Sequence, residues 1–81
     1  EVVHLSLGQP SREIPDSVRN KIGQIAMQHP LGYTESTGMS ELRQAISDQY
    51  RRNYNLDVPL ERIFITLGSS AAFLMSLIAA F

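Results

Sequence analysis

Apolar and polar positions divide this chain into five segments of different character. Val2–Leu7 (VVHLSL) alternates loosely, as an extended piece does, and Gly8-Gln9-Pro10 ends it. A short polar loop follows, Ser11–Ile14. Val18, Ile22, Ile25 and Ala26 then recur at helical spacing and make one apolar stripe. Pro15 is predicted at the first helical position, where its missing N–H is no loss, and Asp16 sets a negative charge near the positive end of the helix dipole. His29-Pro30 should end this helix, because proline disfavours α geometry in the residue before it. After the loop Leu31–Thr37 a second helix is predicted from near Gly38, with Thr37 as its N-cap. Leu42, Ala45, Ile46, Tyr50 and Tyr54 form its apolar stripe, while Arg43, Gln44, Ser47, Asp48, Arg51 and Arg52 take the other faces.

Beyond Asn55–Leu60 the pattern changes. Ile63-Phe64-Ile65-Thr66-Leu67 is short, nearly all apolar and rich in β-branched residues, which suits a strand covered on both faces. Gly68-Ser69-Ser70 turns the chain. From Ala71 to Phe81 only Ser76 is polar, so the last helix is apolar on all sides and calls for protein all round it. At 11 residues it is shorter than the ~20 needed to span a bilayer. A lone buried strand needs neighbours for its backbone groups. The two earlier helices offer only one stripe each. These residues therefore read as the opening portion of a larger α/β domain. The rival reading is a small domain complete in itself or completed by a partner chain.

Composition narrows the function classes. Seven basic and eight acidic side chains in 81 residues give a net charge of −1, which argues against a nucleic-acid stripe or a polybasic membrane patch. With 43% hydrophobic residues the chain is too apolar for a disordered tail. It has no cysteine, hence no disulfide framework and no thiolate metal site. No signal peptide is visible at the start, where Glu1 and His4 interrupt the apolar residues, and there is no initiator Met. His4 and His29 lie in different segments without a ligand triad, and no pair of carboxylates marks an acid–base dyad. Lys21, the only lysine, points off the apolar stripe of the first helix.

Three places could carry chemistry. A strand, then Gly68-Ser69-Ser70, then a helix exposes unpaired N–H groups at the positive pole of the dipole. Small residues admit an anion there and two hydroxyls can add hydrogen bonds, which describes a phosphate site. The Gly-Lys-Ser/Thr of a Walker motif is missing, and read locally the serines serve equally as plain helix caps. Gly8 allows either an ordinary turn or close approach of a ligand. Tyr33 is either a half-buried ring or a hydroxyl offered to a ligand.

In order, Leu7-Gly8-Gln9-Pro10, the helix opened by Pro15, Tyr33 followed by Gly38, Leu42 and Arg43, and Ile65-Thr66-Leu67-Gly68-Ser69-Ser70-Ala71 resemble the N-terminal region of class I/II aminotransferases, pyridoxal-phosphate enzymes of fold type I. The resemblance runs along nearly the whole chain. It implies an N-terminal fragment of an α/β protein whose large domain has three α/β/α layers, mostly helical within these residues. Residues 1–14 would be an arm leading into the small domain, and 15–81 the start of the large cofactor domain. It also implies that Ser69 and Ser70 hold the cofactor phosphate through backbone N–H groups. Tyr33 would reach the phosphate held by the other subunit of a homodimer, and the Gly8 N–H would lie beside the substrate α-carboxylate. The substrates would be an amino acid and a 2-oxo acid, the location cytoplasmic. No metal is implied, and neither a nucleic-acid nor a membrane partner.

Two departures are visible: the turn reads Gly-Gln-Pro where Gly-Glu-Pro is commoner, and Ala71 stands where a polar residue is often found. The family's Schiff-base lysine, its aspartate on the pyridinium nitrogen and its arginine on the substrate carboxylate all lie downstream of the region matched. No catalytic residue is therefore assigned here, and the 81 residues alone should be inactive. Similar motifs occur in β-lyases and synthases of the same fold and in transcriptional regulators with an aminotransferase-like domain. From another class, a non-enzymatic helical interaction module remains as an alternative.

Overall fold

The computed structural model describes residues 1–81 and contains three α-helices, α1 (Asp16–Gln28), α2 (Ser40–Tyr54) and α3 (Gly68–Ala80), with a single 3-10 turn at Leu60–Arg62. The mostly helical character expected within these residues is what the structure has. The chain falls into two compact units, Glu1–Gly32 and Tyr33–Phe81.

The first unit holds α1 and the residues before it, which form no regular element and bend at Ser6, Ser11 and Arg12. Pro15 precedes α1 as its N-cap, with ψ 142°, rather than occupying its first turn. Its carbonyl accepts from the N–H groups of Val18 and Arg19. Asp16 lies in the first turn as expected, and Arg19 bridges to Glu13 at 2.8 Å. The helix stops at His29, which is extended (φ −125°, ψ 138°) ahead of Pro30, as the restriction on residues before proline requires. The Val18/Ile22/Ile25 stripe forms as read from the sequence, but it is exposed throughout. An apolar stripe only gains free energy where another surface removes it from water.

The second unit supplies the buried residues, and they differ from those expected. Gly38, Ser47 and Ile63 are buried; Thr37, Arg43, Ile46, Asp48, Val58, Leu60, Ile65, Thr66, Ala71 and Ala72 are half-buried. The packed face of α2 is thus Arg43, Ile46, Ser47 and Asp48, of which only Ile46 belongs to the expected apolar stripe. Leu42, Tyr50 and Tyr54 of the expected stripe remain exposed, the two tyrosine rings tilted against each other with centroids 5.6 Å apart. Polar residues win the packed face because it meets backbone carbonyls: the Ser47 hydroxyl donates to Val58 O at 2.7 Å. Among the regular elements only α2 and the 3-10 turn are in contact.

Helix α2 begins at Ser40 with Met39 as N-cap, so Thr37 is not its cap. The reason is Gly38, whose φ of +98° no right-handed helix accommodates. A Cβ at this position would also overlap the Ile65 side chain. At its other end α2 is closed by Asn55 in the left-handed region (φ 54°), whose N–H donates to Arg51 O at 3.0 Å. Arg51, in the last turn, pairs with Asp57 at 2.7 Å.

Ile63–Leu67, expected as a buried strand, starts extended at Ile63, bends at Leu67 and is not part of any sheet. Its one backbone link to another segment is Ile65 N–H to Thr37 O at 3.0 Å. A strand is defined by a ladder, and these 81 residues bring no second strand beside it. Helix α3 starts at Gly68, three residues earlier than read from the apolar run, and none of its residues is buried.

Two glycines with positive φ make contrasting predictions. Gly38→Ala combines backbone strain with overlap on Ile65 and should cost at least about 2 kcal/mol. At Gly68 (φ +78°) a Cβ meets open space, so Gly68→Ala should cost only about 1–2 kcal/mol of left-handed strain. Equilibrium denaturation of the two variants should rank them in that order.

Candidate functional site

The turn between the extended segment and α3 is built by its own backbone. The Gly68 N–H donates to Thr66 O at 3.0 Å, which closes a three-residue turn centred on Leu67 (φ −78°, ψ 79°). Those angles are those of an inverse γ-turn. The Thr66 hydroxyl returns a second bond to Gly68 O at 2.9 Å. Thr66 and Gly68 therefore clasp each other across Leu67. Gly68 counts as the first residue of α3, but its φ of +78° is not helical. It acts as the residue that redirects the chain, and regular helical geometry starts with Ser69.

This opening leaves donors free. No side chain caps α3, and the N–H groups of Ser69 and Ser70 have no hydrogen-bond partner within the chain. Both residues are exposed, and neither hydroxyl is engaged. Helices α1 and α2 each carry an acidic residue in the first turn, Asp16 and Glu41, which partly neutralises the dipole. Helix α3 carries none. Two free amides and two unengaged hydroxyls thus lie at the positive end of the dipole, and no carboxylate of the first turn competes. That donor set suits an anion rich in oxygen acceptors, such as a phosphate.

Tyr33 opens the second unit, and its side chain is fully exposed. No hydrogen bond links it to Ser69 or Ser70. Its segment does connect to theirs, through the Thr37–Ile65 backbone bond. Gly8 lies in the first unit, exposed and with open space where a Cβ would stand. The expected turn glycine thus has no steric requirement of its own in this structure. Lys21 lies on the exposed surface of α1. No group of three or more histidines, cysteines or acidic residues is arranged to hold a metal ion. No helix is long and apolar enough to cross a membrane.

Sequence reasoning missed the part played by Arg43. Assigned to an outer face of α2, it has a side chain only 14% exposed. Its guanidinium donates to Gly38 O (Nε, 3.1 Å), Leu60 O (Nη1, 3.3 Å) and the Glu35 carboxylate (Nη2, 3.3 Å). The available signal was its spacing to Ser47, four residues on, which puts both on one helical face. Periodicity counts apolar residues and passes over such a pair.

No family model matches the chain. Individual proteins do. Along all 81 residues it is 38% identical to the valine–pyruvate aminotransferase of Mycobacterium tuberculosis, of which it spans 21%. It is 32% identical over 77 residues to the (5-formylfuran-3-yl)methyl phosphate transaminase of Methanocaldococcus jannaschii, covering 95% of this chain and 21% of that protein. A probable aspartate aminotransferase of the same organism is 29% identical over 77 residues, 95% of this chain and 20% of its own length. The crystal structure of an aminotransferase from Mycobacterium tuberculosis superposes with a TM-score of 0.85 at 39% identity, over 95% of this chain and 21% of that one. The chain is therefore related over its whole length to aminotransferases, as its motifs indicated. It spans about one fifth of the length of the relatives it matches.

The Thr66–Gly68 clasp is testable without disturbing size or β-branching. Thr66→Val should lower stability by up to about 1 kcal/mol, the usual worth of one hydrogen bond, as read by denaturant unfolding.

Proposed function

We propose that these residues are the amino-terminal portion of a fold type I, pyridoxal-phosphate-dependent aminotransferase, which moves an amino group between an amino acid and a 2-oxo acid. The full fold would be the three-layer α/β/α domain in which Ile63–Leu67 gains sheet neighbours and α3 is covered. Residues 1–14 would form the arm leading to the small domain, and 15–81 the start of the large one. The observation that carries this reading is the relationship to aminotransferases along the entire chain, together with the open donor set at the start of α3. A helix with no polar face and no buried residue further supports a larger surrounding domain.

The residues fit the cofactor's phosphate. Ser69 and Ser70 would bind it through two backbone N–H groups and two hydroxyls at the positive helix end. Tyr33, free of contacts, would lend its hydroxyl to the phosphate of the partner subunit in a homodimer. Gly8 would turn its backbone N–H toward the substrate carboxylate. Pyridoxal phosphate, when bound, supplies the electron sink that stabilises negative charge at the substrate Cα. These residues orient the cofactor and hold its charge; the amine that bears it covalently is not Lys21. The assembled enzyme would be a cytoplasmic dimer.

Two substitutions in the full-length protein test this. Ser70→Glu sets a carboxylate against the phosphate and should weaken cofactor affinity at least about tenfold. Tyr33→Phe should weaken it by roughly tenfold, the worth of one hydrogen bond to a charged group. Because the two residues would serve opposite sites, a mixed dimer of one variant subunit of each kind should regain one intact site of two. Cofactor absorbance after dialysis reads the result. Retention unchanged in both variants rejects the phosphate assignment, and no recovery in the mixed dimer rejects the sharing of Tyr33.

A further inference from the structure

Arg43 has a largely enclosed charged side chain, and what it holds is specific. Glu35 O accepts the Gly38 N–H at 3.0 Å, so Glu35–Gly38 is a β-turn with Ser36 and Thr37 at its centre. The guanidinium grips this turn at both ends, through the Glu35 carboxylate and Gly38 O. Its remaining bond goes to Leu60 O, at the start of the chain path that leads to Ser69. Thr37 O, inside the same turn, accepts the Ile65 N–H. Two independent ties thus join the turn to the 60–67 segment. Tyr33 stands two residues before the turn and has no contact that could fix its own position.

We infer that Arg43 is a positioning residue: by gripping the Glu35–Gly38 turn and Leu60 together, it fixes the turn from which Tyr33 is presented toward the phosphate of the partner subunit. This rests on the cofactor-phosphate reading of Tyr33 and Ser70 above. The task requires arginine, because three acceptors in different directions need the planar fork of donors, which the single ammonium of lysine does not supply. Glu35 contributes from outside. Its carboxylate is mostly exposed, so its share of the grip is the smaller.

The test is a double-mutant cycle on pyridoxal-phosphate affinity in the full-length holoenzyme. Arg43→Met keeps the aliphatic stem and removes the donors. If it acts through Tyr33, it weakens affinity about tenfold beside Tyr33 and less than about twofold in the Tyr33→Phe background, the non-additivity expected of linked residues. Equal losses in both backgrounds would mean a general packing role and would overturn the inference. Should Arg43→Met not fold, Glu35→Gln gives the same cycle in milder form: about threefold beside Tyr33 and none beside Phe supports the inference, and equal losses overturn it. If Tyr33→Phe and Ser70→Glu themselves leave affinity unchanged, it is the underlying cofactor reading that fails, a result distinct from additive losses.

Discussion

The second unit depends on one guanidinium. Arg43 brings three acceptors, Glu35 and Gly38 from one turn and Leu60 from a distant segment, onto the same side chain. Without it, Gly38 O would lack its partner and Leu60 O would keep only the Ile63 N–H, and an unpaired polar group away from water is costly. The neighbouring contacts share this logic. Ser47 satisfies Val58 O, and Thr37 O receives the Ile65 N–H. The buried centre is therefore organised by polar groups that meet backbone, with Ile63 as its one buried apolar side chain.

Gly38 is the geometric counterpart of that clamp. Its positive φ ends the β-turn, starts the approach to α2, and presents its carbonyl to Arg43 Nε. Its missing Cβ lets Ile65 lie directly against the backbone. Turn, helix start and extended segment thus meet at one residue that has no side chain. The second positive-φ glycine, Gly68, does different work. There the space is open, and the backbone angle alone matters, because it turns the first amides of α3 outward. An exposed helix start without an acidic first turn is electrostatically ready for an anion, and the relatives' identity as aminotransferases gives that readiness a chemical context.

Most of the apolar surface stays outside. The stripe of α1 and nearly all of α3 face solvent in this structure, with only Ala71 and Ala72 of α3 half-buried. Hydrophobic stabilisation scales with area removed from water, so these residues contribute only where more protein covers them. The chain spans about one fifth of the length of its relatives, and under the function proposed here these faces would be interior ones of the larger domain.

The sequence by itself determined the three helices, their approximate limits and the turn that opens the last one. Those rest on local rules: helical spacing of apolar residues, proline at Pro15 and Pro30, and glycine at Gly68. It also held the ordered motifs through which the relationship to aminotransferases could be read. It did not determine which face of α2 is packed, that Thr37 yields its capping place, or that Arg43 turns inward. It suggested a strand at Ile63–Leu67 that no ladder completes. These outcomes were decided by tertiary structure, because each depends on a partner distant along the chain. Leu60 lies 17 residues from Arg43, and Ile65 lies well beyond Gly38, so no local pattern of apolar and polar residues can encode their meeting.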